Sequence, residues 1–175
     1  MSTMTSHTPT RRITTVCAAL ATLVLAFATI AGAWIFEAFG YLPCELCLQQ
    51  RWAYYAGVPL AALTAALALA GKNGPARLGL SLLAVLFFGS AIFGAYHAGV
   101  EWGFWPGPAG CTGAAGAAAP SMDAFLSQLQ TVKVVRCDQV AIRILGLSLA
   151  GWNAIVSAAI CGLSLLGART TRSAA

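Results

Sequence analysis

The stretch LGLSLLAVLFFGSAIFGAY, residues 78–96, contains 19 residues and no charged side chain. A helix that crosses the hydrocarbon core of a bilayer needs about 20 predominantly apolar residues. Because the backbone N–H and C=O groups find no water in that core, such a run must satisfy them within its own helix. The stretch therefore predicts a transmembrane helix.

Three further apolar runs occupy much of the remaining chain. Together the runs predict four spans, at about residues 13–36, 46–70, 78–97 and 144–168. Charged residues make up 9% of the chain, whereas a soluble domain carries about 25%. We therefore expect an all-α membrane protein, a four-helix transmembrane bundle formed by a single integral membrane domain over residues 1–175. Two loops, 37–45 and 98–143, lie on one side of it.

The positive charges predict the orientation of the bundle. One side carries six basic residues and no acidic residue: Arg11, Arg12, Lys72, Arg77, Arg169 and Arg172. Because Lys and Arg accumulate in cytoplasmic segments, we expect both termini in the cytoplasm and the two loops outside it. This topology accounts for the net charge of +5, so a nucleic-acid partner is not expected.

The first run could also be read as an export signal. TRRITT, residues 10–15, resembles a twin-arginine motif, and AGA at 31–33 has the pattern of a cleavage site. The apolar core of a signal peptide is about 7–15 residues long, whereas this run is longer and ends at an acidic residue. A retained span is favoured over a cleaved signal.

The loop 98–143 is long enough to contain structure of its own. CTGAAGAAAP, residues 111–120, is small and flexible and contains no side chains that could form a core. After Ser121, a candidate helix cap, MDAFLSQLQ places Phe125, Leu126 and Leu129 at helical spacing. We expect a short helix there, lying on the membrane surface with those side chains in the interface.

PCELCLQQRW, residues 43–52, places two cysteines at the start of the second span. The unpaired N–H groups and the positive dipole end of a helix N-terminus favour thiolates, so Cys44 and Cys47 are expected to form an exchangeable pair. A structural bond between residues three apart would constrain little of the unfolded chain. With no further Cys or His ligand nearby, two thiolates make a poor closed metal site, and we expect no metal.

Arg51 follows Cys47 by one helical turn and lies on the same face. A charged side chain just inside a bilayer is costly and usually marks a functional site. We expect it to place a permanent positive charge beside the thiols. The alternative is that its long side chain extends to the outer headgroups.

The other four cysteines divide by side of the membrane. Cys111 and Cys137 lie in the outer loop, where disulfides persist, while Cys17 and Cys161 lie towards the reducing cytoplasm. We expect the latter two to be small buried hydrophobic residues. A bond between the loop cysteines could be a structural staple, but the mobile Gly- and Ala-rich setting favours a relay of thiol exchange.

Two thiol pairs on one side, one mobile and one beside a cation, can carry electron pairs by thiol–disulfide exchange. The chain contains no haem, Rossmann or iron–sulfur motif that could accept these electrons. The acceptor expected at that depth is a quinone dissolved in the bilayer. Arg51 would then stabilise negative charge on the quinone oxygen.

The chain resembles the DsbB family of bacterial disulfide-generating quinone reductases over about residues 13–167. The resemblance rests on PCELCLQQR, on Tyr96–His97, on the two loop cysteines, and on CDQVAIRILGLSLAGWN at 137–153. It implies a four-helix bundle in the bacterial inner membrane and ubiquinone, or menaquinone, as the acceptor. It also implies a periplasmic thiol oxidase similar to DsbA as the partner.

The resemblance implies a role for each matching cysteine. Cys44 and Cys47 match the quinone-coupled pair, with Cys47 facing the quinone. Cys111 matches the cysteine that forms a mixed disulfide with the partner. Cys137 matches the cysteine that resolves this disulfide and passes electrons to Cys44.

Two further residues match the family's quinone site. Arg51 matches its arginine and His97 matches a histidine near the ring. Alternatively, His97 anchors a polar tip at the membrane interface beside Glu101. Ala141 and Ile142 stand where the family pattern has Pro and Trp, a departure that concerns the anchoring of the loop and its fit to the partner.

Other functions stay open from the sequence. An enzyme similar to vitamin-K-epoxide reductase also couples a C-x-x-C pair to a quinone, but there the pair follows the loop cysteines, and here it precedes them. The remaining alternatives are a membrane scaffold with structural disulfides and a thiol-based metal binder.

Overall fold

The computed structural model describes residues 9–108, 111, 121–123 and 136–172. Four long helices form the fold: α1 (Pro9–Ala38), α2 (Glu45–Leu69), α3 (Asn73–Glu101) and α4 (Leu149–Arg172). Each contains a segment long and apolar enough to cross a membrane. The predicted all-α, four-helix membrane fold is confirmed. The surface helix predicted around Phe125, Leu126 and Leu129 lies outside the described residues.

The helices pack as a ring in chain order. α1 and α3 each pack against α2 and α4, and the contact between α3 and α4 is the most extensive. The middle of the bundle is an apolar cluster with contributions from all four helices: Ala26, Ile30, Tyr54, Ala61, Leu83, Ala84, Phe87, Ile160 and Cys161. This core holds together the ends of the helices, where the chemically reactive residues lie.

Large apolar side chains also cover the outside of the bundle. Val24 is 63% exposed, and Trp52 and Val85 are each 73% exposed. Soluble monomers rarely expose apolar surface on this scale, whereas a lipid-facing surface requires it. Polar side chains instead pair inside, as Thr22 Oγ1 does with Ser164 Oγ at 3.3 Å. The protein is therefore a multi-pass membrane protein.

Three helices differ in their bounds from the predicted spans by more than one residue, and α1 extends beyond the predicted 13–36 at both ends. α3 begins at Asn73 and ends at Glu101, whereas the apolar run predicted 78–97. Arg77 and Glu101 limited the run, but a charged side chain does not end a helix whose backbone hydrogen bonds continue. α4 begins at Leu149, later than the predicted residue 144.

A small hairpin replaces the expected first turn of the fourth helix. Arg143–Ile144 (β1) pairs antiparallel with Leu147–Ser148 (β2). The turn Leu145–Gly146 has φ angles of 53° and 84°, the left-handed values that a tight two-residue hairpin requires. Ser148 Oγ then accepts the backbone N–H of Gly151 at 3.1 Å. This serine cap starts α4 after the hairpin.

The two cysteines expected to be buried differ in exposure. Cys161 is buried in the core, but Cys17 is exposed on α1. The prediction was therefore right for Cys161 and wrong for Cys17. A span that is apolar all round gives no sign of which face meets the other helices.

Gly94 allows α3 and α4 to approach closely. A Cβ atom at Gly94 would lie 2.9 Å from the backbone nitrogen of Ala154 and 3.0 Å from its Cα. Backbone atoms cannot move aside as a flexible side chain can. Small residues at such crossings are how membrane helices pack tightly in the absence of a hydrophobic driving force.

We expect Gly94→Ala to destabilise the bundle by about 1–3 kcal/mol, the usual cost of overpacking. Gly89→Ala is the matched control on the same helix, because a Cβ there meets no atom within 4 Å. Thermal unfolding in detergent should give a lower Tm for Gly94→Ala and an unchanged or higher Tm for Gly89→Ala. Equal Tm values for the two variants would contradict the close packing.

Candidate functional site

The second helix begins on a cysteine sulfur. Cys44 is the N-cap of α2, with extended backbone angles (φ −77°, ψ 173°), and its Sγ accepts the backbone N–H of Cys47 at 3.3 Å. The sulfur thus satisfies one of the N–H groups that a helix N-terminus leaves unpaired. The two Sγ atoms lie 2.8 Å apart, so a disulfide of about 2.0 Å needs only a small movement.

Cys44 lies just before the spanning segment, and its surroundings favour the thiolate. The Cys47 sulfur lies 2.8 Å from the Cys44 sulfur, within hydrogen-bond distance, and His97 Nε2 lies 3.6 Å from Cys44 Sγ. These contacts, chiefly the one from Cys47, outweigh burial and lower the pKa of Cys44 to about 5. Cys44 is therefore ionised near neutral pH.

The loop cysteines form a disulfide that packs against this pair. Cys111 and Cys137 are bonded to each other, with their Cα atoms 5.3 Å apart, and both are buried. Together with Cys44 and Leu46 they form one apolar cluster. The expected mobile setting is wrong at the cysteines themselves, because packing against the end of the bundle holds them. The two loop cysteines therefore lie next to Cys44 at the end of the bundle.

Cys47 also lines a cavity of about 350 Å³ between α1, α2 and the start of α4. This volume is within the range of small-molecule sites in proteins. Most of the wall is apolar, and the polar side chains in it include Gln50, Arg51, Tyr54 and Asn153. Cys44 does not line the cavity, so the two sulfurs of the pair have different surroundings.

Arg51 is held at the cavity wall by an acidic residue from the first helix. Its Nη1 donates to Glu37 Oε2 at 2.6 Å, and its side chain is 11% exposed. The guanidinium is thus engaged in an ion pair with a carboxylate that is 40% exposed, and the alternative in which Arg51 extends to the outer headgroups stays a prediction. Sequence reasoning did not identify Glu37 as the partner. Its place at the end of the first apolar run was the available signal.

A line of buried hydrogen bonds joins the cavity wall to Cys44. Tyr54 Oη donates to Asn153 Oδ1 at 2.6 Å, and Asn153 Nδ2 donates to Gln50 Oε1 at 2.7 Å. Gln50 Nε2 donates to His97 Nδ1 at 2.7 Å. The other ring nitrogen of His97 faces Cys44. Because unpaired polar groups are costly in a bundle interior, this chain holds each of its members in place.

His97 lies against Cys44 and is not part of the cavity wall. The His97 side chain is 1% exposed, so it does not reach the membrane interface as a polar anchor. It does lie beside Glu101, as that alternative expected, with Oε1 4.0 Å from its Nε2. Its connection to the cavity runs through Gln50. Sequence reasoning missed Gln50 and Tyr54, for which the only signal was a polar group inside an apolar span.

The structure also places a third potential metal ligand beside the cysteines. The sulfurs of Cys44 and Cys47 and a ring nitrogen of His97 all lie within 4.8 Å of one another. The sequence argument against a metal assumed that no such ligand was near. That assumption was wrong, because α3 brings His97 alongside the start of α2.

Comparison with known families agrees with the site. The family profile described as "Disulfide bond formation protein DsbB" matches residues 14–167. Searches of curated proteins and of solved structures gave no significant match. The matched region covers most of the chain, and it includes both cysteine pairs and most of each of the four helices.

We expect the alkylation of Cys44 to remain fast around neutral pH and to slow only as the pH falls through about 5. An ordinary thiol, with a pKa of about 8.5, would already slow well above neutral pH. The measurement is mass spectrometry of the Cys44 peptide after brief exposure of the reduced protein to iodoacetamide.

In the same experiment His97→Ala should shift the slowing to higher pH, because it removes one of the contacts that stabilise the thiolate. Cys161→Ala is the control and should leave the profile unchanged. A wild-type profile that follows an ordinary thiol would show that Cys44 is not the stabilised thiolate.

Proposed function

The chain belongs to the DsbB family of disulfide bond formation proteins, and we propose that it is a protein-dithiol:quinone oxidoreductase. It reoxidises a periplasmic thiol oxidase similar to DsbA. Electrons pass through Cys111–Cys137 and Cys44–Cys47 to ubiquinone or menaquinone. In this proposal the bundle lies in the bacterial inner membrane, with both termini in the cytoplasm and the cysteine pairs on the periplasmic side.

The position of the Cys44–Cys47 pair is the observation that carries this proposal. Cys44 packs in one buried cluster with the Cys111–Cys137 disulfide, whereas Cys47 lines the cavity. One sulfur therefore faces the electron donor and the other faces the site of the acceptor. Electrons can enter at Cys44 and leave at Cys47 without a large rearrangement of the helices.

The exchange begins when a thiolate of the reduced partner attacks Cys111. The Cys111–Cys137 bond breaks, a partner–Cys111 disulfide forms, and Cys137 leaves as a thiolate. Cys137 then attacks the Cys44–Cys47 disulfide at Cys44, and Cys47 leaves. The partner's second thiolate displaces Cys111, which attacks Cys137 and releases Cys44. The partner is oxidised, the loop disulfide is restored, and the electron pair lies on Cys44 and Cys47.

Cys111 and Cys137 are bonded, and Cys44 and Cys47 are free thiols within 2.8 Å of each other. The cavity suits a quinone, because its wall is largely apolar and includes Cys47 and Arg51. A quinone bound there supplies the capacity to take up two electrons and two protons.

Arg51 and its partner supply the electrostatic part of the site. The guanidinium places a fixed positive charge at the cavity wall, and the ion pair with Glu37 holds its position. A charge that is already oriented costs no reorganisation when negative charge develops nearby. Gln50, fixed by Asn153, keeps His97 against Cys44. His97 thus acts on the thiolate rather than on the contents of the cavity.

We expect Arg51→Ala to lower quinone reduction about 100-fold or more, the usual cost of removing one preorganised electrostatic group. Arg51→Lys should retain part of the activity, because it keeps the charge but loses the planar fork that pairs with a carboxylate. The assay is quinone reduction by the purified protein with a reduced DsbA-like thiol donor.

Lys72→Ala is the control for the loss of a positive charge, since Lys72 is exposed in the turn at the other end of α2. It should leave the rate unchanged. Near-normal activity in Arg51→Ala would exclude an electrostatic role for Arg51 in the reaction.

We expect Cys137→Ala to accumulate a mixed disulfide between Cys111 and the partner. In this variant the Cys111 thiolate attacks the disulfide of the oxidised partner, so that a Cys111–partner bond forms while the partner's own disulfide breaks and releases its second thiol. Cys137 is absent and cannot displace the partner from Cys111. Cys111→Ala should accumulate no such adduct, because the attacking sulfur is absent. Non-reducing gels of membranes that contain the partner make the measurement, with Cys17→Ala as the control.

Two other outcomes of the gel experiment would contradict the proposed roles of Cys111 and Cys137. A trapped partner in Cys111→Ala but not in Cys137→Ala would reverse the roles of the two loop cysteines. If neither variant traps the partner and electron transfer from it persists in both, the loop disulfide is a structural staple.

A further inference from the structure

The reduced Cys44–Cys47 pair and His97 together provide the donor set of a metal site. Two sulfurs and a ring nitrogen lie within 4.8 Å of one another. Thiolate and imidazole ligands select Zn²⁺ and other thiophilic cations over Mg²⁺ or Ca²⁺. Two cysteines in a C-x-x-C spacing, joined by a histidine from another part of the chain, are a common arrangement in zinc sites.

The distances are close to those that a tetrahedral ion requires. Bonds of about 2.3 Å to sulfur and about 2.0 Å to nitrogen place the sulfur and nitrogen ligands about 3.6 Å apart and two sulfurs about 3.7 Å apart. Cys44 Sγ lies 3.6 Å from His97 Nε2, and the two sulfurs lie 2.8 Å apart. Binding therefore requires the sulfurs to separate by about 1 Å, while the histidine is already in position.

Glu101 lies beside His97 but outside the group of three side chains whose ligand atoms all lie within 4.8 Å of one another. Its side chain is 6% exposed, and Oε1 lies 4.0 Å from His97 Nε2. Its Oε2 has no hydrogen-bond partner among the described residues. A buried carboxylate oxygen without a partner is costly. A cation on the thiolates and His97 would place a positive charge near this carboxylate.

The residues behind His97 can support it as a ligand. A metal at Nε2 requires the proton on Nδ1, and rotation of the Gln50 amide turns its carbonyl oxygen towards that proton. If the Asn153 amide rotates in the same way, the hydrogen bond between Asn153 and Gln50 is kept with its direction reversed. Tyr54 Oη then accepts from Asn153 and donates to Ser157 Oγ, 3.0 Å away. Such a hydrogen bond to the second ring nitrogen is the usual support of a metal-bound histidine.

We propose that the reduced protein binds one thiophilic divalent cation, Zn²⁺ or Cd²⁺, through Cys44, Cys47 and His97, with water as the fourth ligand. Binding displaces the thiol protons, and the two thiolates share their electron pairs with the metal. A Cys44–Cys47 disulfide has no thiolate to offer, so oxidation excludes the ion. A metal held there occupies the sulfurs that exchange electrons and blocks that exchange. The inference goes beyond the proposed function and does not depend on a quinone.

The test titrates reduced full-length protein in detergent with CdCl₂, after removal of the reductant, and follows the ultraviolet absorbance of cadmium–thiolate bonds. Two matched double variants separate the cysteine pairs. Cys111→Ala/Cys137→Ala should retain one Cd²⁺ per chain, whereas Cys44→Ala/Cys47→Ala should lose it. Oxidised wild-type protein should bind none. Equal binding by the oxidised protein, or by the variant that lacks Cys44 and Cys47, would overturn the proposal.

The third ligand is tested in the variant that lacks the loop cysteines. His97→Ala should weaken Cd²⁺ binding tenfold or more, since even groups that only support a metal ligand contribute about that much. Unchanged affinity in His97→Ala would remove it from the site.

A second measurement does not depend on whether the His97→Ala variant folds. X-ray absorption of the Zn²⁺ form, with His97 intact, should show two sulfur and two nitrogen or oxygen ligands, the histidine and a water. A sulfur-only shell, or a shell with no sulfur, would overturn the assignment. If the protein binds Cd²⁺ as expected but does not reduce quinone, the proposed function is contradicted and the metal site is not.

Discussion

The hydrogen bond from the backbone of Cys47 to the sulfur of Cys44 determines how the reactive end of the molecule is arranged. By capping α2 with its own side chain, Cys44 fixes its sulfur at the helix N-terminus, where the positive end of the helix dipole favours a thiolate. Cys47 then follows within the first turn and reaches the cavity wall. The loop disulfide packs on one side of this pair and His97 on another. Changing how α2 begins would therefore disturb every contact that the thiols make.

The bilayer imposes the second constraint, which is that polar side chains within the spans must find partners inside the bundle. Tyr54 and Gln50 come from α2, His97 from α3 and Asn153 from α4, and their hydrogen bonds join these three helices. The pair of Arg51 with Glu37 joins α2 to α1 in the same region. The contacts that position the reactive groups thus also hold the helices in register. In this protein the site and the packing of the bundle depend on the same interactions.

The departure from the family pattern after Cys137 concerns the cavity as well as the loop. Ala141 stands where a proline was expected, and it lines the cavity together with residues of α1 and α2. The sequence related this position to the anchoring of the loop and the fit to the partner. Because Ala141 lies in the wall, the substitution also affects the shape of the cavity. A methyl side chain occupies less of this volume than a proline ring.

The sequence alone determined the four spans, because an apolar run of that length in lipid can only be a helix. It also identified both cysteine pairs and Arg51, since two thiols at a helix start and a cation inside a span are local features. The partners of these residues were decided by the tertiary structure. Glu37 meets Arg51 across a separation of 14 residues, His97 meets Cys44 across 53, and Asn153 meets Gln50 across 103. Spans that are apolar all round contain no periodic signal for which faces meet. The cavity, the buried chain from Tyr54 to His97 and the third ligand beside the thiols therefore emerged only once the four helices were packed together.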